Sequence, residues 1–422
     1  MQLLKKEVGA FLILGSLIIG LVGCKEQATN PIRSNPQVEN QRVEVTASSS
    51  KQQLEGMQPE GSKQQLEEMQ PEGSKELQLI MVGDILLHTP VTESGKKADG
   101  SYNYSHLFKE VREDIEAADL ALVNQEVILG GKELGLSGYP TFNGPYEVGD
   151  ALVEAGFDVI LQATNHALDK GKKGILNTLS FWETKYPHIK VMGIQKSDKK
   201  QADKIYVYEK EGIRLAILNY TYGTNGIPLP DGQSHWVNLL KEEQLKKDIA
   251  VAKELADFIV VCPHWGTEYT HSASKEQYYW AQLMADEGVD LVLGTHPHVI
   301  QPVEWVQGKG GQSMLVYYSL GNFVNSTGES GKGIADRMLG AMAKVTLGRD
   351  EKGQVVIKGY GAEALVTHLE KGTKLTTYKL QDYTEDLASK NKIRNQDGTF
   401  SLAYCKELWK EVFKDVLDQA EF

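Results

Sequence analysis

Five short polar segments of this sequence carry side chains able to do chemistry: Gly83-Asp84, Asn124-Gln125-Glu126, Asn165-His166 with Asp169 three residues on, His264-Trp265-Gly266 leading to Glu268, and His296-Pro297-His298. Carboxylates supply the charge that neutralises a cation and can bridge two of them. Imidazoles and an amide oxygen complete the coordination shell and leave positions open for water. Two ions held about 3.5–4 Å apart acidify a bound water and steady the leaving oxygen of an in-line displacement. Each segment alone has an ordinary explanation. Asp84 after a glycine suits a turn, Asn165 could cap the helix that follows, and Glu126 could be a solvated loop charge. His264 lies between Pro263 and Trp265-Gly266 at the exit of an apolar run, which is harder to explain away. His296 and His298 form the most specific local pattern, because alternate residues of an extended segment face one side. Together the five segments indicate a shared divalent-metal site.

The elements that must position them are legible from apolar patterning. Leu77–Val82, Leu120–Asn124, Phe157–Leu161, Phe258–Cys262 and Leu291–Leu293 read as short buried strands, and each is followed directly by one of the polar segments. Ligands of open α/β sheets bind beyond the carboxyl ends of the strands. Helical stretches are expected over His106–Asp119, Glu147–Ala155, Lys172–Lys185, Lys241–Leu255 and Lys275–Glu287, with a further strand at Ile213–Tyr220. Apolar strands alternating with helices mark an α/β fold whose sheets are covered by helices. Met314–Tyr318, Gly340–Leu347 and Val355–Gly361 are strand-rich with glycine breaks. The tail from Leu402 to Ala420 has helical spacing.

The beginning of the chain reads differently. Lys5-Lys6, an apolar run from Val8 to Val22, and Leu21-Val22-Gly23-Cys24 give the order of a signal peptide ending in a lipobox. Residues 1–23 are therefore expected to be a lipoprotein signal peptide. Cys24 would be the lipidated residue, anchoring an extracytoplasmic protein to the cell membrane. Residues 24–76 are polar and hold a 12-residue repeat, Ser50–Gly61 and Ser62–Gly73. That composition cannot offset chain entropy by burial, so a flexible linker is expected. A main domain over 77–370 and a partly helical C-terminal extension over 371–422 complete the reading. The net charge of -12 argues against a nucleic-acid partner. Cys262, in an apolar run, reads as a small buried thiol. Gly328–Gly333 has only a superficial P-loop look, since its first glycine lies too near Gly331-Lys332, and it reads as a loop.

The motifs Gly83-Asp84, Asn124-Gln125-Glu126, Thr164–Asp169, His264–Tyr269, Gly294–Gln301 and Ser319–Phe323, in this order over about residues 78 to 325, resemble the serial motifs of the CapA family. That family is associated with bacterial capsule and poly-γ-glutamate synthesis, and its fold is similar to the calcineurin-like metallophosphoesterases. The resemblance implies an αββα sandwich with mixed sheets flanked by helices. It implies Asp84, Glu126, Asn165, His264, His296 and His298 as ligands of divalent ions (Mn, Zn or Fe, two of them), with Glu126 as the bridge. It gives His166 the role of general acid or phosphate-binding imidazole, with Asp169 and Glu268 orienting it or the water, and it points to Gln301 and Asn322 as substrate contacts. There are departures. Phosphoesterases of that fold open with Asp-x-His, whereas the nearest imidazole here is His88, expected at the surface or behind the ligands. Glu126 stands where a bridging Asp is usual, and Gln125 where an apolar residue is more frequent. The implied function is metal-dependent hydrolysis of a phosphoester or of an anionic capsule polymer, alongside membrane synthase subunits. The rivals are a non-catalytic subunit that binds polymer through its metals, and an envelope nucleotidase.

Overall fold

The computed structural model describes residues 76–197, 204–370 and 374–414. The expected signal segment, Cys24, the 12-residue repeat and the end of the tail lie outside the described residues. Strands β1 (Leu77–Ile85), β2 (Leu120–Asn124), β3 (Val159–Leu161) and β4 (Lys190–Met192) run parallel and build one half of a first sheet. The chain then forms a second sheet from β5 (Tyr206–Lys210), β6 (Ile213–Thr221), β7 (Phe258–His264), β8 (Leu291–Leu293), β9 (Ile300–Gln307) and β10 (Ser313–Leu320), in the order β5-β6-β7-β8-β10-β9. It returns to the first sheet through β11 (Asn322–Val324), β12 (Leu339–Arg349), β13 (Val355–Leu369) and β14 (Leu375–Lys379), giving the order β14-β13-β12-β1-β2-β3-β4 with β11 beside the end of β1.

Two-residue alternation along the strands fixes the layering. Leu79 and Met81 point into one apolar cluster with Leu215, Ile217, Val260 and Cys262 of the second sheet, so this cluster is the interface between the sheets. Ile80 and Val82, between them, face the opposite way. There they meet α2 (Arg112–Ala117), α3 (Glu147–Ala155) and α4 (Gly171–Lys185), which follow the short α1 (Thr89–Ser94). Ala216, Leu218, Ile259 and Val261 of the second sheet pack outward against α5 (Glu242–Leu255) and α6 (Lys275–Asp286). The result is four layers, αββα, with both sheets mixed. Helix ends obey local chemistry: Ser274 and Gln277 form a reciprocal capping box at the start of α6, and α3 stops at Gly156, whose φ of 100° suits glycine.

The C-terminal residues are part of this core. Helices α7 (Glu385–Lys390) and α8 (Leu402–Val412) follow β14, and Phe400, Trp409 and Phe413 extend the inter-sheet cluster. In place of the helix expected over His106–Asp119 there is a single 3-10 turn, Ser105–Leu107, and then α2. Leu107, Phe108, Val111 and Ile115 are all fully buried, and a break lets the neighbours Leu107 and Phe108 both reach the core. Among the described residues no helix is long and apolar enough to cross a membrane.

One contact controls where β1 delivers its last residues. Asp84 N–H donates to the Gly321 carbonyl at 2.9 Å, and a Cβ on Gly83 would lie 1.9 Å from that same oxygen. Gly83→Ala must therefore push two backbone segments apart. Its unfolding free energy in urea is expected to fall by more than the ~1–3 kcal/mol of ordinary overpacking. Gly223→Ala, with nothing near the new methyl, is expected to stay within ~0.5 kcal/mol of wild type. Equal losses in the two variants would refute the close-approach account.

Candidate metal centre

Both sheets present their strand ends to one point. From the first come Asp84 near the end of β1, Asn124 closing β2, Glu126 two residues beyond it, and Asn165-His166 in the turn after β3. From the second come His264, the last residue of β7, and His296 and His298 in the turn after β8. All are buried. The sheets touch here through His264 Nε2 and Asn165 Oδ1, 2.8 Å apart. Asp84 Oδ1 accepts from Asn124 Nδ2 at 2.7 Å, and Oδ2 accepts from the His296 N–H at 3.1 Å. His264 Nδ1 lies 3.1 Å from Thr295 Oγ1.

Glu126 is at the centre. Its Oε1 lies 3.7 Å from His264 Nε2, 3.8 Å from His298 Nε2 and 4.0 Å from His166 Nε2, while His298 Nδ1 is 3.4 Å from Asp84 Oδ2. Donors bound to one ion at about 2.0–2.2 Å stand about 3–4.3 Å from each other, so these spacings fit ligands converging on shared cations. The donors group as Glu126 with His264 and His296, as Asp84 with Glu126 and His298, and as Glu268 with His296 and His298. The first two triplets share Glu126.

An independent test supports the fit. Among the described residues neither oxygen of Glu126 has a hydrogen-bond partner, and Asn124 Oδ1 and His296 Nδ1 are likewise buried and unpaired. Buried polar atoms are normally satisfied, and these four orphans lie together at the site. Burial pushes the Glu126 carboxyl well above the usual carboxylate range, with His298 opposing and Asp84, Glu268 and Asp169 reinforcing. Burial and the neighbouring imidazoles hold His264 and His296 well below the ordinary histidine value, which keeps them neutral and able to ligate. His298 goes the other way: burial pulls it down, but Glu126 and Asp84 win and push it up to about 9. The cluster is short of positive charge. Nitrogen and oxygen donors without thiolate suit Zn, Mn or Fe; Cys262 faces the inter-sheet cluster, and it and Cys405 are free, buried thiols.

A cleft of about 710 Å³ opens beside the donors, lined among others by His88, Phe142, Asn165, His166, Asp169, Glu268, Tyr269 and His298. His166 Nδ1 is 2.7 Å from Asp169 Oδ2, which also accepts from the Phe142 N–H at 2.6 Å, and the Phe142 ring stands edge-on to the imidazole. Asp169 is thus placed to orient His166. Glu268 is exposed and sits with His296 and His298 rather than with His166. His88 is on the cleft wall, edge-on to Phe142, with its pKa lowered to about 4 by burial and then by His298 and His166. It joins none of the donor groups.

Two expected substrate contacts have other partners. Gln301 is fully buried, accepts from Gln277 Nε2 at 2.7 Å and donates to the Thr270 and Ser272 carbonyls, so its polar atoms are used inside the protein and do not line the cleft. Asn322 holds His298: its Oδ1 lies 3.1 Å from His298 Nδ1, and its Nδ2 donates to the His298 carbonyl. The extended geometry expected for His296-Pro297-His298 is also corrected. Both histidines have positive φ, 99° and 59°, so the imidazoles converge through a turn rather than by strand alternation. Sequence reasoning passed over Asn124, Thr295, Asn225 and Arg337. Asn124 and Thr295 had a signal, their places in motifs at strand ends.

If the cluster binds cations, Mn²⁺ or Zn²⁺ at a hundred times its Kd is expected to stabilise the protein by about 2.7 kcal/mol, reversed by chelator. Glu126→Gln is expected to lose most of that gain and to carry less metal by elemental analysis. Its metal-free form is expected to be at least as stable as metal-free wild type, because an amide replaces an unpaired buried carboxylate. Equal metal content in variant and wild type would remove Glu126 from the centre of the site.

A family model described as bacterial capsule synthesis protein PGA_cap matches residues 78–327. The chain is 33% identical to the PGA biosynthesis protein CapA of Bacillus subtilis (strain 168) over 187 residues, 42% of this chain and 45% of that one. It is 30% identical to the capsule biosynthesis protein CapA of Bacillus anthracis over 262 residues, 60% of this chain and 61% of that one. These matches span about half to three-fifths of the curated relatives' own length. Solved structures similar to it include a 5'-nucleotidase precursor from Thermus thermophilus, at 16% identity and a TM-score of 0.43 over 69% of this chain and 54% of that one. Another is the NAD nucleotidase NadN of Haemophilus influenzae, at 11% identity and a TM-score of 0.43 over 81% of this chain and 57% of that one. The family match takes in more than half of the 422 residues and every strand-end donor from Asp84 to His298, and the chain belongs to the bacterial capsule synthesis family PGA_cap.

Proposed function

We propose that this protein is a metal-dependent hydrolase of capsule-polymer synthesis, cleaving a phosphoester or an amide of an anionic polymer of the poly-γ-glutamate type. The observation that carries the reading is the pairing of Glu126, buried and without a partner on either oxygen, with a carboxylate-held imidazole, His166–Asp169, on the wall of an open cleft. Asp84, Glu126, Asn165, His264, His296 and His298 would hold two ions, with Glu126 common to two of the three donor triplets. Such ions polarise the scissile group and activate water.

The chain's own residues supply the proton and the geometry. Asp169 accepts from Nδ1 of His166 and fixes the ring, leaving Nε2, 4.0 Å from Glu126 Oε1, to give a proton to the leaving atom. Phe142 packs edge-on against the ring, which limits both its rotation and its contact with water. Asn225 stands beside the acid, its Nδ2 3.5 Å from His166 Nδ1, and its Oδ1 accepts from Asn165 at 3.3 Å. Lipidation at Cys24 would hold the domain at the outer face of the cell membrane, within reach of membrane synthase subunits.

Purified protein loaded with Mn²⁺ or Zn²⁺ is expected to hydrolyse bis-para-nitrophenyl phosphate or to shorten poly-γ-glutamate, and to stop when chelator is added. His166→Ala is expected to lower kcat roughly 10²- to 10⁴-fold with metal content unchanged, and Asp169→Asn to lower it less. Should wild type and His166→Ala be equally inert on both substrates while the polymer still binds, the site serves binding alone.

A further inference from the structure

Among the described residues, the cleft beside the donor cluster is lined by a single Lys or Arg, Arg337. It sits in the 3-10 turn Ala335–Met338, beyond residue 327 where the family match ends. Its guanidinium lies over the Tyr269 ring, 3.5 Å from the centroid, and that ring is 5.9 Å from His298. Nη1 is paired with Glu329 Oε2 at 2.6 Å, whereas Nε is buried with no partner. We infer that Arg337 is the specificity determinant of the cleft, grasping an oxyanion of the substrate, carboxylate or phosphate, away from the bond that breaks, with Glu329 as its displaceable occupant. This rests on the cleft being the substrate site, though not on turnover.

Three observations carry the inference. A planar guanidinium fork matches carboxylate and phosphate in two-point contact, and stacking on Tyr269 fixes its plane. The present partner is easily exchanged, because the Arg337 side chain is 12% exposed and that of Glu329 is 63% exposed. An exposed carboxylate loses little by swinging into water. The Arg337 backbone, by contrast, is tightly placed. Its carbonyl accepts from Asn322 Nδ2 at 3.0 Å, and the same amide's Oδ1 lies against His298 Nδ1, so one side chain sets the distance from the arginine to the donor cluster. Asp336 is held between His271 Nε2 and the Tyr404 hydroxyl of α8, and Asp397 accepts from the Gly333 and Ala335 N–H groups at 2.9 and 3.2 Å. The C-terminal extension therefore braces the wall that carries the cation.

The test is equilibrium binding by calorimetry to metal-loaded protein, with a γ-linked glutamate oligomer and inorganic phosphate as probes. Arg337→Ala is expected to weaken at least one probe roughly tenfold or more, with Arg337→Lys recovering part. Glu329→Gln, which removes the competitor, is expected to tighten the same probe severalfold, and metal content is expected to match wild type throughout. A loss confined to the oligomer identifies a carboxylate as the group recognised, and one confined to phosphate identifies a phosphate. Were Arg337→Ala too unstable to assay, the exposed Glu329→Gln alone decides. The inference is overturned if both variants bind both probes as wild type does, or if wild type binds neither. Binding shifts in a protein without turnover would sink the hydrolase reading and leave this one standing. Turnover with unshifted binding would do the reverse.

Discussion

Glu126 is buried to 1% exposure and, among the described residues, has no donor for either oxygen, and the domain is organised around a carboxyl that can ionise there only with a counter-charge. Even after relaxation, an uncompensated buried ion costs several kcal/mol, a large part of the ~5–15 kcal/mol by which a folded protein exceeds its unfolded chain. Nearby imidazoles relieve it only in part, since His264 and His296 are driven neutral by the same burial. A small, dense positive charge would satisfy the Glu126 oxygens among donors already gathered around them. The two apolar outer clusters and the one between the sheets act as the frame that holds the carboxylate where it would not otherwise stay.

That frame works because parallel strands end at one edge. β1, β2 and β3 of the first sheet and β7 and β8 of the second all point their carboxyl ends toward the site, so each following residue arrives from a rigid support. Glycine brings the supports close. Gly83 lets β1 touch Gly321, and Gly294 fits where a Cβ would be 2.2 Å from the Tyr318 carbonyl. A methyl at either place would move a donor-bearing strand end by more than coordination tolerates.

Much of this was legible in the residues. The apolar runs 77–82, 120–124, 258–262 and 291–293 end in polar motifs, and an apolar run stopping at a carboxylate or imidazole is a local signal. Alternation of these strands with helices marks the α/β fold, and the resemblance to the CapA family implied its four layers. What escaped depends on contacts distant in sequence. Arg337 belongs to no motif and gains meaning only where Tyr269 and Glu329 meet it. Asn225 reaches Asn165 and His166 across about sixty residues. Gln301 was expected at the substrate because the family-like motif Gly294–Gln301 includes it, yet tertiary packing assigns its amide to Gln277 and to the Thr270 and Ser272 carbonyls. Residue type cannot show whether a polar side chain has already been claimed.

The turn after β8 shows what the site demands of the backbone. His296 and His298 have φ of 99° and 59°, and Tyr269, facing them, has 62°. Each such residue costs of order 1–3 kcal/mol unless its surroundings over-determine it. They do so here: Trp265 N–H donates to the Thr295 carbonyl at 3.0 Å, Tyr269 N–H to the Pro297 carbonyl at 2.8 Å, and His296 N–H to Asp84 Oδ2 at 3.1 Å. In a regular strand, residues two apart project in parallel, and both imidazoles would address the same side of Glu126. The turn separates them instead. His296 stacks toward His264 at 4.7 Å, and His298 approaches Asp84 at 3.4 Å. One carboxylate is thereby shared between two donor sets. Strain that a relaxed strand would have avoided is what leaves Glu126 standing between the two donor sets.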